Sequence, residues 1–357
     1  MSAQDPPRSA RLGHRMRRST RLGLAILGVL LVIAGGYTSY WFIIAGQIER
    51  GVIAWAQSAR SDKIEISWQK LRITGFPETF QIELAAADLR DDALTPSPEL
   101  RIPTVSATAR PWDFADWQLT AREGFNADLA ASNEHAAAKL SVQTADGVVS
   151  IAREGGWNLW LKAHNASLEA LSRILVNSAD GWVIAPPGPA RQHGEPLLTL
   201  AVSARQVTLP VGIEPFGDVI DEFDLGAAVR GAIPNGRLPE ALAAWRDAGG
   251  TIELDNLRLR WGPIDAMASG TIALDQELQP IGAFSGGIEG YDQILTMLVQ
   301  RGQLRAGDAS LARIALNMLA KAGADGKPEI RTAYTIRDGQ MFLGPARLGK
   351  APRLTWE

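Results

Sequence analysis

Ser67-Trp68-Gln69-Lys70 has the SxxK spacing of a serine nucleophile and its lysine base, as in penicillin-recognising enzymes. That chemistry needs the two side chains one helical turn apart, so that the amine reaches the hydroxyl. Here Ile64, Ile66 and Trp68 alternate with Lys63, Glu65, Ser67 and Gln69, which predicts a strand. In a strand, positions three apart point to opposite faces, so the motif carries no catalysis. His14, His135, His164 and His193 are the four histidines. They fall at loop-like positions and form no HExxH pair or other ligand spacing. A hydrolase would have to rest on His135, His164 or His193. No GxSxG elbow, Walker loop or dinucleotide fingerprint occurs, and Gly282, Gly286, Gly287 and Gly290 are wrongly spaced to cradle phosphate. Asn165-Ala166-Ser167 is only a formal glycosylation sequon. The chain has no cysteine, which removes disulfides, thiolate ligands and thiol chemistry. The expectation is a protein without catalytic residues, metal or cofactor.

The elements around these residues say more than the residues themselves. Leu22 to Ala45 is 24 residues without a charge, enough helix to cross a hydrocarbon core of about 30 Å. Arg8, Arg11, Arg15, Arg17, Arg18 and Arg21 precede it against one acid, Asp5. That asymmetry predicts residues 1–21 in the cytoplasm and the rest beyond an inner membrane, in the periplasm. A cleaved signal is the alternative, with Ala34-Gly35-Gly36 as its site. The run continues past that site into Tyr37, Tyr40, Trp41 and Phe42, as an outer-leaflet aromatic belt does, so a retained anchor is expected.

Residues 1–46 hold six of the 36 basic and one of the 39 acidic side chains, leaving 30 and 38 beyond and a net charge of −8. An acidic domain repels nucleic acid and gains nothing from anionic headgroups. Abundant glycine (35) and proline (20) beside few charges point to a turn-rich β protein.

Ile48, Val52, Trp55 and Ala59 keep a helical period, so residues 46–61 are expected to continue the membrane helix. Period-2 patterns come next, in an N-terminal half (62–183) and a C-terminal half (197–357). They are separated by the proline-rich residues 184–196, read either as a linker or as a surface loop. Ile64–Trp68 and Leu71–Ile73 alternate in opposite phase, Gly75-Phe76-Pro77 turns, and Phe80, Ile82 and Leu84 alternate again. A second phase flip at Asp255-Asn256 separates Ile252 and Leu254 from Leu257, Leu259 and Trp261, the mark of a β-bulge. Asp-Gly or Asn-Gly pairs at 146, 180, 235, 325 and 338 predict tight hairpins. Short helices are expected at 169–178, 238–248, 291–301 and 308–322. The last has an apolar face of Leu311, Ile314, Ala315, Met318 and Leu319. The predicted class is mainly β (α+β): one transmembrane helix, then a curved antiparallel meander with a few short helices.

Among the eleven tryptophans, Trp41 and Trp55 fit the membrane interface, while Trp68, Trp157 and Trp261 sit on apolar strand faces. They belong either to an ordinary packed core or to an apolar groove that holds acyl chains. The candidate groove comprises Trp68, Phe80, Ile82, Leu84, Trp157, Leu257, Leu259 and Trp261. Both readings need one continuous dry sheet face, and periodicity does not separate them.

Three landmarks are familiar: Ile66-Ser67-Trp68 through Leu71-Arg72-Ile73-Thr74-Gly75-Phe76-Pro77; Leu259-Arg260-Trp261-Gly262-Pro263 followed by Gly270–Asp275; and the closing Asp338–Pro345. With the preceding anchor they resemble a bacterial membrane-anchored family catalogued as domain of unknown function number 2125. That resemblance implies a Gram-negative inner membrane and supplies no activity. A looser similarity is to the AsmA-like envelope proteins, which join an N-terminal anchor to a long curved sheet and are associated with phospholipid movement. Some 14–18 strands would extend roughly 70–85 Å. The expected partners are the bilayer, through Leu22–Ala45, and a phospholipid or an envelope protein. Nucleic acid is not expected. The leading expectation is a non-enzymatic lipid-binding groove, and the alternative is an envelope scaffold with a fully packed β core.

Overall fold

One helix and one sheet account for most of the chain. The computed structural model describes residues 18–60, 63–92, 97–130, 137–170, 172–188, 190, 192–213, 215–234, 237–322, 328–343, 346–351 and 353–354. Helix α1 (Arg18–Ala59) runs unbroken for 42 residues, and its apolar part is long enough to cross a membrane. The juxtamembrane segment continues it as expected, with one change of face. Ala56 and Ala59 pack against Ile66 while Trp55 points outward. Two small side chains let the helix approach the sheet where an indole would hold it off.

The N-terminal strands are β1 (Ile64–Ser67), β2 (Lys70–Thr74), β3 (Phe80–Asp91), β4 (Pro98–Arg110), β5 (Asp113–Ala121), β6 (Phe125–Leu129), β7 (Ala138–Ile151), β8 (Trp157–Glu169) and β9 (Arg173–Ala185). After these come β10 (Pro196–Ile213), β11 (Gly217–Arg230), α2 (Leu238–Asp247), β12 (Thr251–Trp261), β13 (Ile264–Leu274) and β14 (Pro280–Glu289). The chain ends with α3 (Tyr291–Gln300), α4 (Ala306–Leu319), β15 (Ala320–Ala322), β16 (Pro328–Arg337), β17 (Gln340–Leu343) and β18 (Ala346–Lys350). All 18 strands join one antiparallel sheet. β1 and β2 share one edge of β3, and β5 and β6 lie end to end between β4 and β7. From β7 the meander is consecutive to β14, which pairs with β16. Fifteen strand positions at about 4.8 Å give roughly 67 Å from edge to edge. No register joins β18 back to β1 or β2 among the described residues, so the sheet is open.

The proline-rich segment joins β9 to β10, which pair from Leu175–Thr208 to Ile184–Thr199. The strands on either side of it are therefore hydrogen-bonded to each other.

The accessible surface is 23667 Å², against about 14,000 Å² for a compact chain of this mass. The exposed length of α1 and the uncovered sheet both contribute to the excess. Buried apolar residues form three small clusters, of which two lie under α1 and one under α2. A fully packed β core is not present among the described residues.

Three local expectations are corrected. Residues 169–178 are not a helix but the end of β8, a tight connection and the start of β9. Asp146-Gly147 and Asp180-Gly181 are not turns. They lie mid-strand, where Gly147 and Gly181 both stand opposite Leu161. A Cβ on Gly147 would sit 2.7 Å from the Leu161 side chain, so the glycine makes room rather than a bend. Asp338-Gly339 does turn, between β16 and β17. The pairs at 235 and 325 lie outside the described residues.

Of the two phase flips read from sequence, only the second is a bulge. At the first, β1 and β2 are interrupted at Trp68-Gln69 opposite Ala86, whose φ is 47°, and the register to β3 is the same on both sides. β12 is displaced between Leu254 and Leu257. Asn165 (φ 50°) and Gln206 (φ 53°) are left-handed residues inside β8 and β10, where the ladder is interrupted without a change of register. These are aligned: the registers place Gln143, Asn165, Asn177, Gln206 and Asp221 in one row across β7–β11. Asn165 Nδ2 donates to Gln143 Oε1 at 2.8 Å, and Gln206 Nε2 donates to Asp221 Oδ1 at 3.0 Å. The ladder is interrupted at the same level in each of these strands, which creases the sheet there, and on the Leu161 side of the crease the registers gather apolar side chains on one face.

Candidate functional site

That shared face is the candidate site. Directly paired residues lie on the same side of a sheet, so the registers trace rows across it. One row runs Ile73, Ile82, Ala107, Leu119, Gly147, Leu161, Gly181, Val202, Leu225, Leu257, Ala268 and Gly286. A second runs Trp117, Val149, Leu159, Val183, Leu200, Ala227, Leu254, Gly270, Phe284 and Tyr334. Neither contains a charge or an amide. The first crosses twelve strands, about 53 Å at the usual strand spacing. Its members are partly open to solvent, with Leu161 43% and Val202 40% exposed.

The opposite face is mixed: Val148, Trp160, Trp182 and Ala201 form a row there beside charged ones. Asp146, Lys162, Asp180, Ser203, Asp224 and Arg258 form one paired row there. Arg205 reaches Asp224 at 2.7 Å and Glu222 at 3.0 Å, and Arg258 holds Asp265 at 2.6 Å. Burial works against ionisation of Asp224, but hydrogen bonds from Ser203 and Arg205 outweigh it and hold its carboxyl below the ordinary range. Charges on the outer face are satisfied by one another, whereas the two apolar rows contain none.

The apolar face begins under α1. Phe80 is wholly buried, stacked on Trp41 at 4.9 Å and on Phe114 at 5.5 Å. The helix covers Ile73, Ile66 and Leu89 and leaves the following strands open. At the far side a cavity of about 320 Å³ opens on this face, lined by Leu254, Leu257, Leu259, Phe284, Ile288 and Tyr334 among others. Its walls offer van der Waals contact and almost no hydrogen bonding, which suits a hydrocarbon chain and not a reacting centre.

The expected groove residues fall into three places. Ile82 and Leu84 lie on the face, and Leu257 and Leu259 line its cavity. Trp68 and Phe80 are roofed by α1, so they close one end and do not line open space. Trp157, paired with Ile151 and Ala185 at the strand ends, is exposed. Trp261 packs 5.0 Å from Phe216 and donates to the Gly217 carbonyl, closing the β11–β12 corner. Sequence reading missed Leu159, Leu161, Val183, Leu200, Val202 and Leu225. Their alternation was legible, but their alignment across strands was not.

The catalytic alternatives find no support in placement. Ser67 and Lys70 belong to separate strands on either side of a break in the ladder. His164 is not in a loop but within β8, opposite Ser178 and Thr144. His193 lies over Gly249, and His135 lies outside the described residues. No group of three or more metal-ligating side chains occurs among the described residues. The apolar face read on α4 is exposed at Leu311, Ile314 and Met318, while Ala309 is buried. The Leu319 side chain lies outside the described residues.

The family model described as "Uncharacterized protein conserved in bacteria (DUF2125)" matches residues 41–352. No curated protein and no solved structure matches the chain.

Proposed function

Because the chain belongs to this bacterial family, which brings no activity with it, we propose a function from the geometry: a non-enzymatic, membrane-anchored protein that carries lipid acyl chains on its apolar sheet face. Leu22–Ala45 is the anchor in the inner membrane, the arginine-rich N-terminus stays in the cytoplasm, and residues 46–357 work in the periplasm. One observation carries the reading: two unbroken apolar rows, half-exposed over most of their length, with no second sheet over them among the described residues. Monomeric proteins seldom leave so long an apolar strip uncovered without a use for it. Covering it is favourable by about 25 cal/mol for each Å² removed from water. The acidic domain would attract no anionic headgroup, so recognition is through the tails while the headgroups remain in solvent.

A photoreactive phenylalanine analogue placed at Val183, Leu200 or Leu225 in the full chain, and irradiated in membranes, tests this. Lipid-mass adducts are expected from those positions and not from Arg258 on the opposite face. Equal labelling from both faces, or protein adducts alone, overturns it. A second reading, a scaffold for an envelope protein, draws on the exposed stripe of α4. Protein adducts from Ile314 with no lipid from Val183 would favour it.

A further inference from the structure

Where α1 meets the sheet, two turns carry aromatic side chains outward. The β2–β3 turn ends in Phe76, 46% exposed, and the two-residue β4–β5 turn ends in Trp112, 70% exposed. Both are pinned to one level of the helix. The Tyr37 hydroxyl donates to the Pro77 carbonyl, and the Tyr40 hydroxyl donates to the Pro111 carbonyl at 3.0 Å. Phe76 also stacks on Phe42 at 5.9 Å. Leu22 to Tyr40 is eighteen helical steps, about 27 Å, close to the hydrocarbon thickness of about 30 Å. With Leu22 at one boundary, Tyr37 and Tyr40 stand at the other, and the two turn tips stand with them. Immediately beyond, Trp41 and Ala45 are buried by the domain and no longer face lipid.

We propose that Phe76 and Trp112 insert into the leaflet that α1 leaves, giving the domain a second membrane contact. An indole and a phenyl ring belong at this depth, where an apolar ring meets the headgroup layer. Exposed Glu78 next to Phe76, and Arg110 and Asp113 beside Trp112, limit the insertion to the interface. The helix alone leaves rotation about its axis free; two tips held off-axis fix it. The first strands of the apolar face are then set against the bilayer. This rests on α1 crossing the membrane and not on the lipid-carrying reading.

The chain lacks cysteine, so single-cysteine labels are clean. Phe76→Cys, Trp112→Cys, Val32→Cys and Val211→Cys in the full chain would carry an environment-sensitive fluorophore in vesicles of phosphatidylethanolamine and phosphatidylglycerol. Val32 marks the span, and exposed Val211 in β10 marks solvent. Labels at 76 and 112 are expected to lose most of their intensity to a shallow spin-labelled lipid and little to aqueous iodide, with 211 the reverse. Iodide quenching at both tips equal to that at 211 overturns the proposal. So does a label at 32 that no lipid quencher reaches, because then α1 does not cross. Neither result depends on what the sheet carries.

Discussion

Phe80→Ala is the sharpest test of how this molecule holds together. Phe80 is the one large side chain buried completely among the described residues, clamped between Trp41 of α1 and Phe114 of β5. Truncating a buried phenylalanine costs about 3–5 kcal/mol, part of it from the cavity left behind. In a compact domain that loss would lower global stability everywhere. Here each strand touches only its neighbours in the sheet, so stability should behave as a chain of nearest-neighbour terms, as it does in repeat proteins. The penalty then falls on α1 and β1–β5. At about 1.4 kcal/mol per tenfold, amide exchange near Ile73, Ile82 and Ala107 should accelerate roughly 100- to 3,000-fold. Exchange in β10 and β11, at Leu200 and Leu225, should change less than about threefold on the same reasoning. Hydrogen exchange read by mass spectrometry on the full chain in detergent or nanodiscs gives both numbers. Equal acceleration in both regions would show a cooperative core and refute the single-layer architecture. No acceleration near Phe80 would show that the stack with Trp41 carries no load.

Other outcomes stem from the same structure. Ala86 holds φ 47° in the crease, so Ala86→Gly should raise stability by up to about 1 kcal/mol and Ala86→Val should lower it by about 1–2 kcal/mol; urea midpoints distinguish this from a position without strain. A Cβ on Gly290 would fall 1.7 Å from the Pro263 carbonyl oxygen at φ 82°, so Gly290→Ala should cost about 1–3 kcal/mol through backbone strain alone, and an unchanged thermal midpoint would contradict it. Val183→Glu places a charge in the middle of the second apolar row; lipid adducts from Leu200 should fall while circular dichroism stays unaltered, and undiminished adducts would count against acyl binding. The Asp224 carboxyl titrates below its unfolded value of about 3.9. Its stabilisation is therefore complete above that pH and lost as pH falls through the lower folded value, and Asp224→Asn should remove that part of the acid transition. An identical acid-unfolding curve for the variant would show that Asp224 contributes nothing to it.

How much was legible depended on the range of the interaction that fixes each feature. Period-2 runs such as Phe80–Leu84 and Leu257–Trp261 gave strands, because alternation is a property of neighbouring residues. The phase changes at 68–70 and 255–256 were readable for the same reason. The left-handed residues Asn165 and Gln206 leave the register unchanged, so no spacing announced them. Asp146-Gly147 misled because the dipeptide is a turn former in isolation. In the sheet its glycine accommodates Leu161 of the next strand, a contact fourteen residues away.

The sequence by itself determined the apolar helix, the mainly β class, the acidic character of the domain beyond that helix and the lack of a catalytic cluster. Each of these is written in composition or in short-range spacing. Only the tertiary structure decided that the dry strand faces stay open and are not packed against a second layer. Only there does strand register bring Leu161, Val202, Leu225 and Leu257 to one side of a continuous sheet. Only there, too, do Phe76 and Trp112 come level with Tyr37 and Tyr40. A single strand's alternation says that one face is dry, but the neighbour against that face is set by residues tens to hundreds of positions away.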